Sequence, residues 1–450
     1  MRVLGIGDSG DLGDLYAHLQ RYGHEVRMAV EDPAYHDVFR GLVEHTADWR
    51  KDLAWIREAG RDGIILFETA HHGALQDELR RDGFQVIGGC AFGDRLEGER
   101  ELGQAVLHQA GLQTAATWCF RDLDAGIAYI RARPRRYVVK HNGHHLPSTR
   151  THVGTFADGG DVIALLQEHA RQGVEKVDFV LMDAVDGVET GVGAYFDGRR
   201  FVGPVCLDWE HKRFFPGDLG ELTGEMGTVV TYEGGGRLFA DTLVHLAPVL
   251  AEHGYCGYIN LNTIINEEGV WPLEFTCRFG YPGFAILAAL HRDGWEGLLR
   301  LLCGQPARVL THPGFAVGVV VTVPPFPYLA TPHPSRGLPI RFQGGLSADD
   351  LDHVHFGEVD FSSGEPVVGG VSGYVLVITG RGPDVSSARR EAYRLLGRTQ
   401  IPNARYRHDI GCRYIERDAA LLAKYGYSAV AAASASASAS MLVTSANHAR

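Results

Sequence analysis

Leu273-Glu274-Phe275-Thr276-Cys277-Arg278-Phe279-Gly280 sets one carboxylate between two large apolar residues and a guanidinium four positions later. The run Val270 to Phe275 reads as a β-strand, so Glu274 falls on an apolar strand, where a carboxylate without a partner is costly to bury. Magnesium accounts best for it, because hard divalent cations take oxygen ligands. A structural ion pair with Arg278 is the plainer alternative. The preceding strand, Tyr258 to Ile265, carries Asn262, whose amide oxygen can share such a metal.

Upstream, Asp208-Trp209-Glu210-His211-Lys212-Arg213 packs five ionisable groups into six positions, and Thr223-Gly224-Glu225-Met226-Gly227 follows closely. A solvated loop would explain the charges alone. The two glycines favour a substrate site, since they let backbone amides approach a carboxylate or phosphate. Lys140 closes the apolar run Tyr137 to Lys140 and so aims one ammonium off a strand end; a surface lysine is the plainer reading. Further strands are expected at Phe179 to Met182, Thr190 to Phe196, Val202 to Leu207, Ala316 to Val323 and Gly373 to Thr379, with a helix at Ser386 to Leu396.

The first hundred residues alternate short strands (Arg2 to Ile6, Glu25 to Val30, Ile64 to Phe67, Gln85 to Gly88) with amphipathic helices (Leu12 to Tyr22, Leu75 to Asp82), which implies a parallel sheet covered on both faces. A single helix is expected from Glu97 to about Ala110. Gly5-Ile6-Gly7-Asp8-Ser9-Gly10 fits G-x-G-x-x-G, and Glu31 closes the second strand, an arrangement that can grip a dinucleotide. Asp8 and Asp11 crowd the place where a phosphate would sit, so a tight strand-to-helix turn is the better reading.

The whole chain has 450 residues, enough for several domains, and is 45% hydrophobic and 22% charged. Its net charge of −12, from 43 basic and 55 acidic residues, argues against a nucleic-acid surface. Seven scattered cysteines without a C-x-x-C pair point to reduced thiols. The opening Met-Arg-Val-Leu-Gly-Ile-Gly reads as a first strand and not a leader, and no apolar run reaches the ~18 residues of a membrane span. A cytoplasmic protein is expected. Ser428 to Ser440 alternates Ala and Ser and is expected to be disordered.

The strings at 208–213, 223–227 and 273–280, with Tyr406-Arg407-His408-Asp409-Ile410-Gly411, resemble glycinamide ribonucleotide synthetase (phosphoribosylamine–glycine ligase) in order and spacing. Leu96-Glu97-Gly98, Val138-Val139-Lys140 and Asp186-Gly187-Val188-Glu189 extend the likeness, which covers roughly residues 1 to 415. It implies a mixed α/β and α+β fold: an N-terminal parallel α/β domain (1–96), a central two-lobed ATP-grasp (97–308, small lobe about 115–190), a C-terminal β-rich domain (309–415) and a tail (416–450). It also implies ATP with magnesium or manganese, an acyl phosphate, small-molecule carboxylate and amine substrates, and a monomer or homodimer. By the same resemblance Arg100, Lys140, Asp183, Val185, Glu189 and His211 would hold ATP. Asp183 and Val185 lie on the stretch that reads adenine, and Glu189 takes the ribose. Glu274, Asn262 and Thr276 would hold the metal; Arg278, Lys212 and Arg213 would serve catalysis; Glu210, Thr223, Gly224, Met226 and Gly227 would bind substrate.

Departures from the family pattern cluster by role. Ser9-Gly10-Asp11-Leu12-Gly13 stands where the family has Gly-Gly-Arg-Glu-His, so an acid replaces the arginine that helps hold the phosphate of phosphoribosylamine. Phe67-Glu68-Thr69-Ala70-His71-His72 replaces a Gly-Pro-Glu type of loop, Tyr281 an Asp, Thr276 an Asn, Leu222 an Asn, Glu210 an Asp, and Arg100 a Lys. The loop after Lys140, with His144-His145 and Ser148-Thr149-Arg150-Thr151, could grip phosphate, whereas a metal on its adjacent histidines is disfavoured. The expected reaction therefore joins glycine, or a similar small amino acid, to an amine other than phosphoribosylamine in a specialised pathway. An authentic purine-pathway ligase and a nucleotide-binding scaffold without catalysis remain open, and a dehydrogenase is the most distant reading.

Overall fold

The computed structural model describes residues 1–141, 151–172, 178–330 and 333–429. The loop 142–150, including His144, His145, Ser148, Thr149 and Arg150, lies outside the described residues, as does the Ala/Ser-rich tail from residue 430.

Five strands, β1 (Arg2–Gly7), β2 (Glu25–Val30), β3 (Glu44–His45), β4 (Gly63–Phe67) and β5 (Gln85–Ile87), form a parallel sheet in the order β3-β2-β1-β4-β5. Every residue of β4 is buried, as a strand covered on both faces requires. Helices α1 (Gly13–Arg21), α2 (Leu53–Glu58) and α3 (Gly73–Arg81) connect them. The glycines of the opening turn serve packing. A Cβ on Gly5 would meet the Tyr16 ring at 2.2 Å, and one on Gly7 would meet Glu68 Oε2 at 2.3 Å.

The expected helix from Glu97 to Ala110 is two helices. α4 (Ala91–Gly98) ends at Glu99, whose backbone is extended, and α5 (Arg100–Gln109) starts immediately. The cause is local pairing on two sides. Glu97 accepts from Cys277 N at 2.7 Å and from Arg278 Nε at 3.1 Å, while Arg100 turns to Glu274 at 2.7 Å.

A four-stranded antiparallel sheet follows, ordered β6-β9-β7-β8, from β6 (Thr117–Phe120), β7 (Tyr137–His141), β8 (His152–Val153) and β9 (Phe179–Asp183). It is backed by α6 (Leu123–Ala132) and α7 (Gly160–Arg171) through a separate core of Ile127, Ile130, Val162, Leu166 and Phe179.

The largest sheet has eight antiparallel strands in the order β16-β15-β10-β11-β14-β17-β22-β19. These are β10 (Val188–Asp197), β11 (Phe201–Glu210), β14 (Gly227–Thr231), β15 (Cys256–Asn266), β16 (Gly269–Thr276), β17 (Phe315–Thr322), β19 (Val354–Phe356) and β22 (Tyr374–Gly382). Between β11 and β14 sits the hairpin β12 (Arg213–Phe215) with β13 (Leu219–Leu222). The short strands β18 (Arg341–Phe342), β20 (Val359–Asp360) and β21 (Val367–Val368) stand apart from it. One hydrogen-bonded sheet thus carries both the 188–276 strands and the 315–382 strands. Its two faces bury separate apolar clusters, one with Val317, Val319 and Ile378, the other with Ala316, Val320 and Val377, as alternation along β17 and β22 demands. All seven cysteines are free thiols. Among the described residues no helix is long and apolar enough to cross a membrane.

Candidate active site

Lys140 from the four-stranded sheet, Arg100 from the start of α5 and Lys212 after β11 converge on one carboxylate of the eight-stranded sheet, Glu274. Arg100 Nη1 and Lys140 Nζ donate to its Oε2 at 2.7 and 2.9 Å, and Lys212 Nζ approaches Oε1 at 3.4 Å. Lys212 also pairs with Glu210 at 3.0 Å and Glu189 at 3.1 Å, and Asn262 Nδ2 donates to Glu189 at 2.8 Å. Buried charge persists only when paired, and here three cations and three carboxylates interlock.

The local electrostatics follow from that pairing. Lys140, against the opposing effect of burial, and then Lys212 and Arg100 hold the Glu274 carboxyl well below its usual range. Burial pulls the Lys140 ammonium down despite Glu274. Burial also works against the Lys212 ammonium, but Glu210, Glu189 and Glu274 outweigh it and raise it well above its usual range. Behind them, burial and then the neighbouring Glu210 push Asp208 up to about 7, while Asn260 donates to it at 2.6 Å.

Asn262 stands directly opposite Glu274 in the β15–β16 ladder, and Asn260 opposite Thr276. Facing side chains on paired strands share one side of a sheet, so Glu274 and Asn262 can offer two oxygens to one cation, with Thr276 on the wall of the same cavity. This donor set fits magnesium: hard oxygens, one anionic, beside the cations that would take phosphate. The cavity, of about 190 Å³, is also lined by Lys212, Arg278, Glu225 and Tyr281. Arg278, anchored by Glu97, is thereby held as a fixed cation on its wall.

The other expected site residues are distributed as follows. Glu210 and Gly224 line the cavity, and a Cβ on Gly224 would meet nothing within 4 Å. Gly227 is different: it pairs with Val319 of β17, and a Cβ there would meet Gly318 O at 2.5 Å, so this glycine serves strand approach. Thr223 donates to the Lys212 carbonyl at 2.8 Å and fixes the loop, while Met226 is buried against Phe214 and Phe326. Asp183 ends β9 and accepts from Arg135 at 2.8 Å; Val185 follows in the half-buried link to β10. Arg213 lies on the β12–β13 hairpin with its guanidinium on the Gly220 carbonyl at 2.6 Å, apart from the Glu274 cluster. His211 is 1% exposed and lines neither this cavity nor the one described next; its Nε2 accepts from Gly411 N at 3.3 Å, and burial lowers its imidazole to about 4.

Three features were not singled out as site residues from sequence. Glu225 is 5% exposed, with Oε1 unpartnered, and burial followed by Glu210 and Asp208 raises its carboxyl well above the usual range. A second cavity, of about 220 Å³, lies between the β1 turn and residues 357–374 and is walled by Asp11, Tyr35, Tyr281, Glu358 and Tyr374. Asp8, His71 and His72 gather nearby, with His71 Nε2 at 2.9 Å and His72 Nε2 at 3.6 Å from the Asp8 carboxylate. The signal for the second cavity was already in the sequence as the acid at Asp11 and the ring at Tyr281.

The sequence pattern described as "Phosphoribosylglycinamide synthetase, ATP-grasp (A) domain" matches residues 98–284, the span that supplies every member of the Glu274 cluster. The phosphoribosylamine–glycine ligase of Lactococcus lactis is 25% identical over 92% of this chain and 100% of its own length. That of Allochromatium vinosum is 29% identical over 84% of this chain and 90% of its own. Among solved structures, the phosphoribosylamine–glycine ligase of Thermotoga maritima superposes with a TM-score of 0.68 at 23% identity, covering 91% of this chain and all of that one. The biotin carboxylase domain of Hydrogenobacter thermophilus 2-oxoglutarate carboxylase, solved with MgADP and bicarbonate, gives 0.63 at 12% identity, covering 94% and 97%. Residues 98–284 thus match the ATP-grasp domain of glycinamide ribonucleotide synthetase, and the chain as a whole is similar to that enzyme, an ATP-dependent ligase that forms a carbon–nitrogen bond.

Proposed function

We propose that the chain activates the carboxylate of glycine, or of a similar small amino acid, with ATP and magnesium, and joins it to an amine other than phosphoribosylamine. The observation that carries the reading is the convergence of Arg100, Lys140 and Lys212 on Glu274 from separate elements. Phosphoryl transfer depends on positioning and charge neutralisation, and these cations would take the phosphate oxygens. Once they do, Glu274 and Asn262 are free to hold the metal, which supplies further neutralisation of the phosphates. A carboxylate oxygen of the amino acid attacks the γ-phosphorus, and ADP leaves with the electron pair of the broken P–O bond. Arg278 steadies the phosphoryl group in passage. The amine nitrogen then attacks the acyl carbon, phosphate leaves, and the amine gives up one proton. In this reading residues 1–96 and 309–415 flank a 97–308 ATP-grasp core and shape the amine's place, with small molecules as the substrates.

Asp11 supports the departure from phosphoribosylamine, since a phosphate at that turn would face a carboxylate. The relatives, themselves phosphoribosylamine–glycine ligases, favour the second reading, an authentic enzyme of that kind. The deciding measurement is ADP release with ATP and magnesium across a panel of amino acids, with and without phosphoribosylamine generated in place. Release that requires both glycine and phosphoribosylamine sinks the first reading. An acyl phosphate trapped by hydroxylamine with an amino acid, and turnover with other amines, sinks the second.

A further inference from the structure

The cavity between the β1 turn and residues 357–374 has walls of unusual chemistry. Its lining is Ser9, Gly10, Asp11, Tyr35, Tyr281, Gly357, Glu358, Ser372 and Tyr374: two carboxylates, three phenol rings and, among the described residues, no lysine, arginine or histidine. Tyr281 is shared with the wall of the Glu274 cavity, so the two spaces adjoin. At that junction stands Glu225, 5% exposed and with Oε1 unpartnered; the Tyr374 hydroxyl donates to its backbone carbonyl. The Tyr281 hydroxyl is likewise buried without a partner.

The two carboxyl groups are held in place by hydrogen bonds, and burial raises both above their ordinary range. Asp11 accepts from Ser9 Oγ at 2.7 Å, and Glu358, 8% exposed, accepts from the Ser372 hydroxyl and from the Ser372 and Gly373 amides at 3.0 Å each. Among the described residues neither makes an ion pair with a side chain. Arg278, the cation whose charge reaches Asp11, is itself engaged by Glu97. Acids fixed by hydrogen bonds and left without counter-charge, beside aromatic faces, form the surroundings that stabilise an ammonium: the rings attract it by their quadrupoles and the carboxylates by charge. An arriving ammonium would favour the ionised form of both groups, whereas an anion would find no counter-charge in this lining.

We propose that this cavity holds the cationic end of the amine substrate, which is therefore a phosphate-free basic amine carrying a second ammonium. The inference deepens the ligase reading and rests on it for the amine being a substrate. The ammonium lies among Asp11, Glu358, Tyr35, Tyr281 and Tyr374, and the nucleophilic amine points past Tyr281 toward Glu225 and Arg278. Specificity arises by exclusion as well as attraction, since the same walls reject a phosphorylated amine.

The test is calorimetric titration of the full chain with 1,4-diaminobutane, 1-aminobutane and ribose 5-phosphate, alongside hydroxylamine trapping of the acyl phosphate. The diamine should bind at least about tenfold more tightly than the monoamine. Ribose 5-phosphate should not compete with it, and Asp11→Asn should erase the diamine preference. Equal affinity for the two amines, displacement by ribose 5-phosphate, or an Asp11→Asn protein that keeps the preference would each overturn the proposal. If Asp11→Asn does not fold, Tyr35→Leu, which removes one ring from the wall, should show the same loss of preference. Diamine binding without any trapped acyl phosphate would sink the ligase reading and leave the cationic site standing. Trapping without diamine preference would do the reverse.

Discussion

The two halves of the cleft handle charge in opposite ways. Around Glu274, carboxylates and cations are interlocked one against another, and Lys212 alone meets three acids. Across Tyr281, the second cavity is lined by Asp11 and Glu358 with no cation among the described residues, and hydroxyl and amide donors support them. A site that must receive a polyanion with its metal needs both signs at hand, and incoming phosphate can exchange places with Glu274 on the same cations. The other side holds one sign only. On the proposed reading, likeness to a family is not uniform along a cleft: the half around Glu274 would take the nucleotide, while the half around Asp11 and Glu358 offers acidic groups where a phosphate would need cations.

The largest expected effect comes from breaking the paired half. Glu274→Ala should lower ADP formation by about a thousandfold, since a positioned charge in phosphoryl transfer is worth that order. Far-ultraviolet circular dichroism should be unchanged, and full turnover would mean that Glu274 holds no metal. A smaller effect sharpens the unpaired half through pH. Burial, which outweighs the hydrogen bonds from Ser372 and Gly373, pushes Glu358 from its ordinary 4.5 up to about 7. Between those values the folded chain holds a proton that the unfolded chain has released, so stability falls as pH rises through the window and stays lower above it. Glu358→Gln removes the loss: its melting temperature should exceed that of the natural protein at pH 8, by the equivalent of about 3 kcal/mol, and match it near pH 4. A pH-independent difference would mean that Glu358 ionises normally. The least drastic pair of changes separates the glycines of the loop joining the halves. Gly227→Ala should cost about 1–3 kcal/mol by denaturant titration, because its Cβ meets Gly318 O. Gly224→Ala, facing open space, should leave stability unchanged and alter only substrate KM. Equal destabilisation would place both glycines in packing.

Much of this was readable in the chain. The strands at 2–6, 25–30 and 64–67 stood out because a sheet covered on both faces needs short apolar runs, and Glu274 because a carboxylate on an apolar strand calls for a partner. The break at Glu99 was not readable, since residues 97–110 keep a helical pattern and the interruption depends on Cys277 and Arg278, some 180 residues away. His211 sits in a charged string, yet its neighbour is Gly411, so sequence placed it by company and the fold by burial. The second cavity draws Asp11, Tyr35, Tyr281, Glu358 and Tyr374 from distant segments; only two of them were conspicuous beforehand, as an acid and a ring where the resemblance leads one to expect otherwise.

The interruption at Glu99 also works as an orientation check on assembly. Glu97 and Arg100, on successive helices, meet Arg278 and Glu274 in crossed order. Dock the helix pair with the opposite polarity and acid would face acid while base faced base. Like charges brought together are penalised and opposite ones rewarded, so the correct docking is distinguished from its mirror arrangement by both contacts at once. The residues poised for chemistry thereby also tell the folding chain which way round its pieces belong.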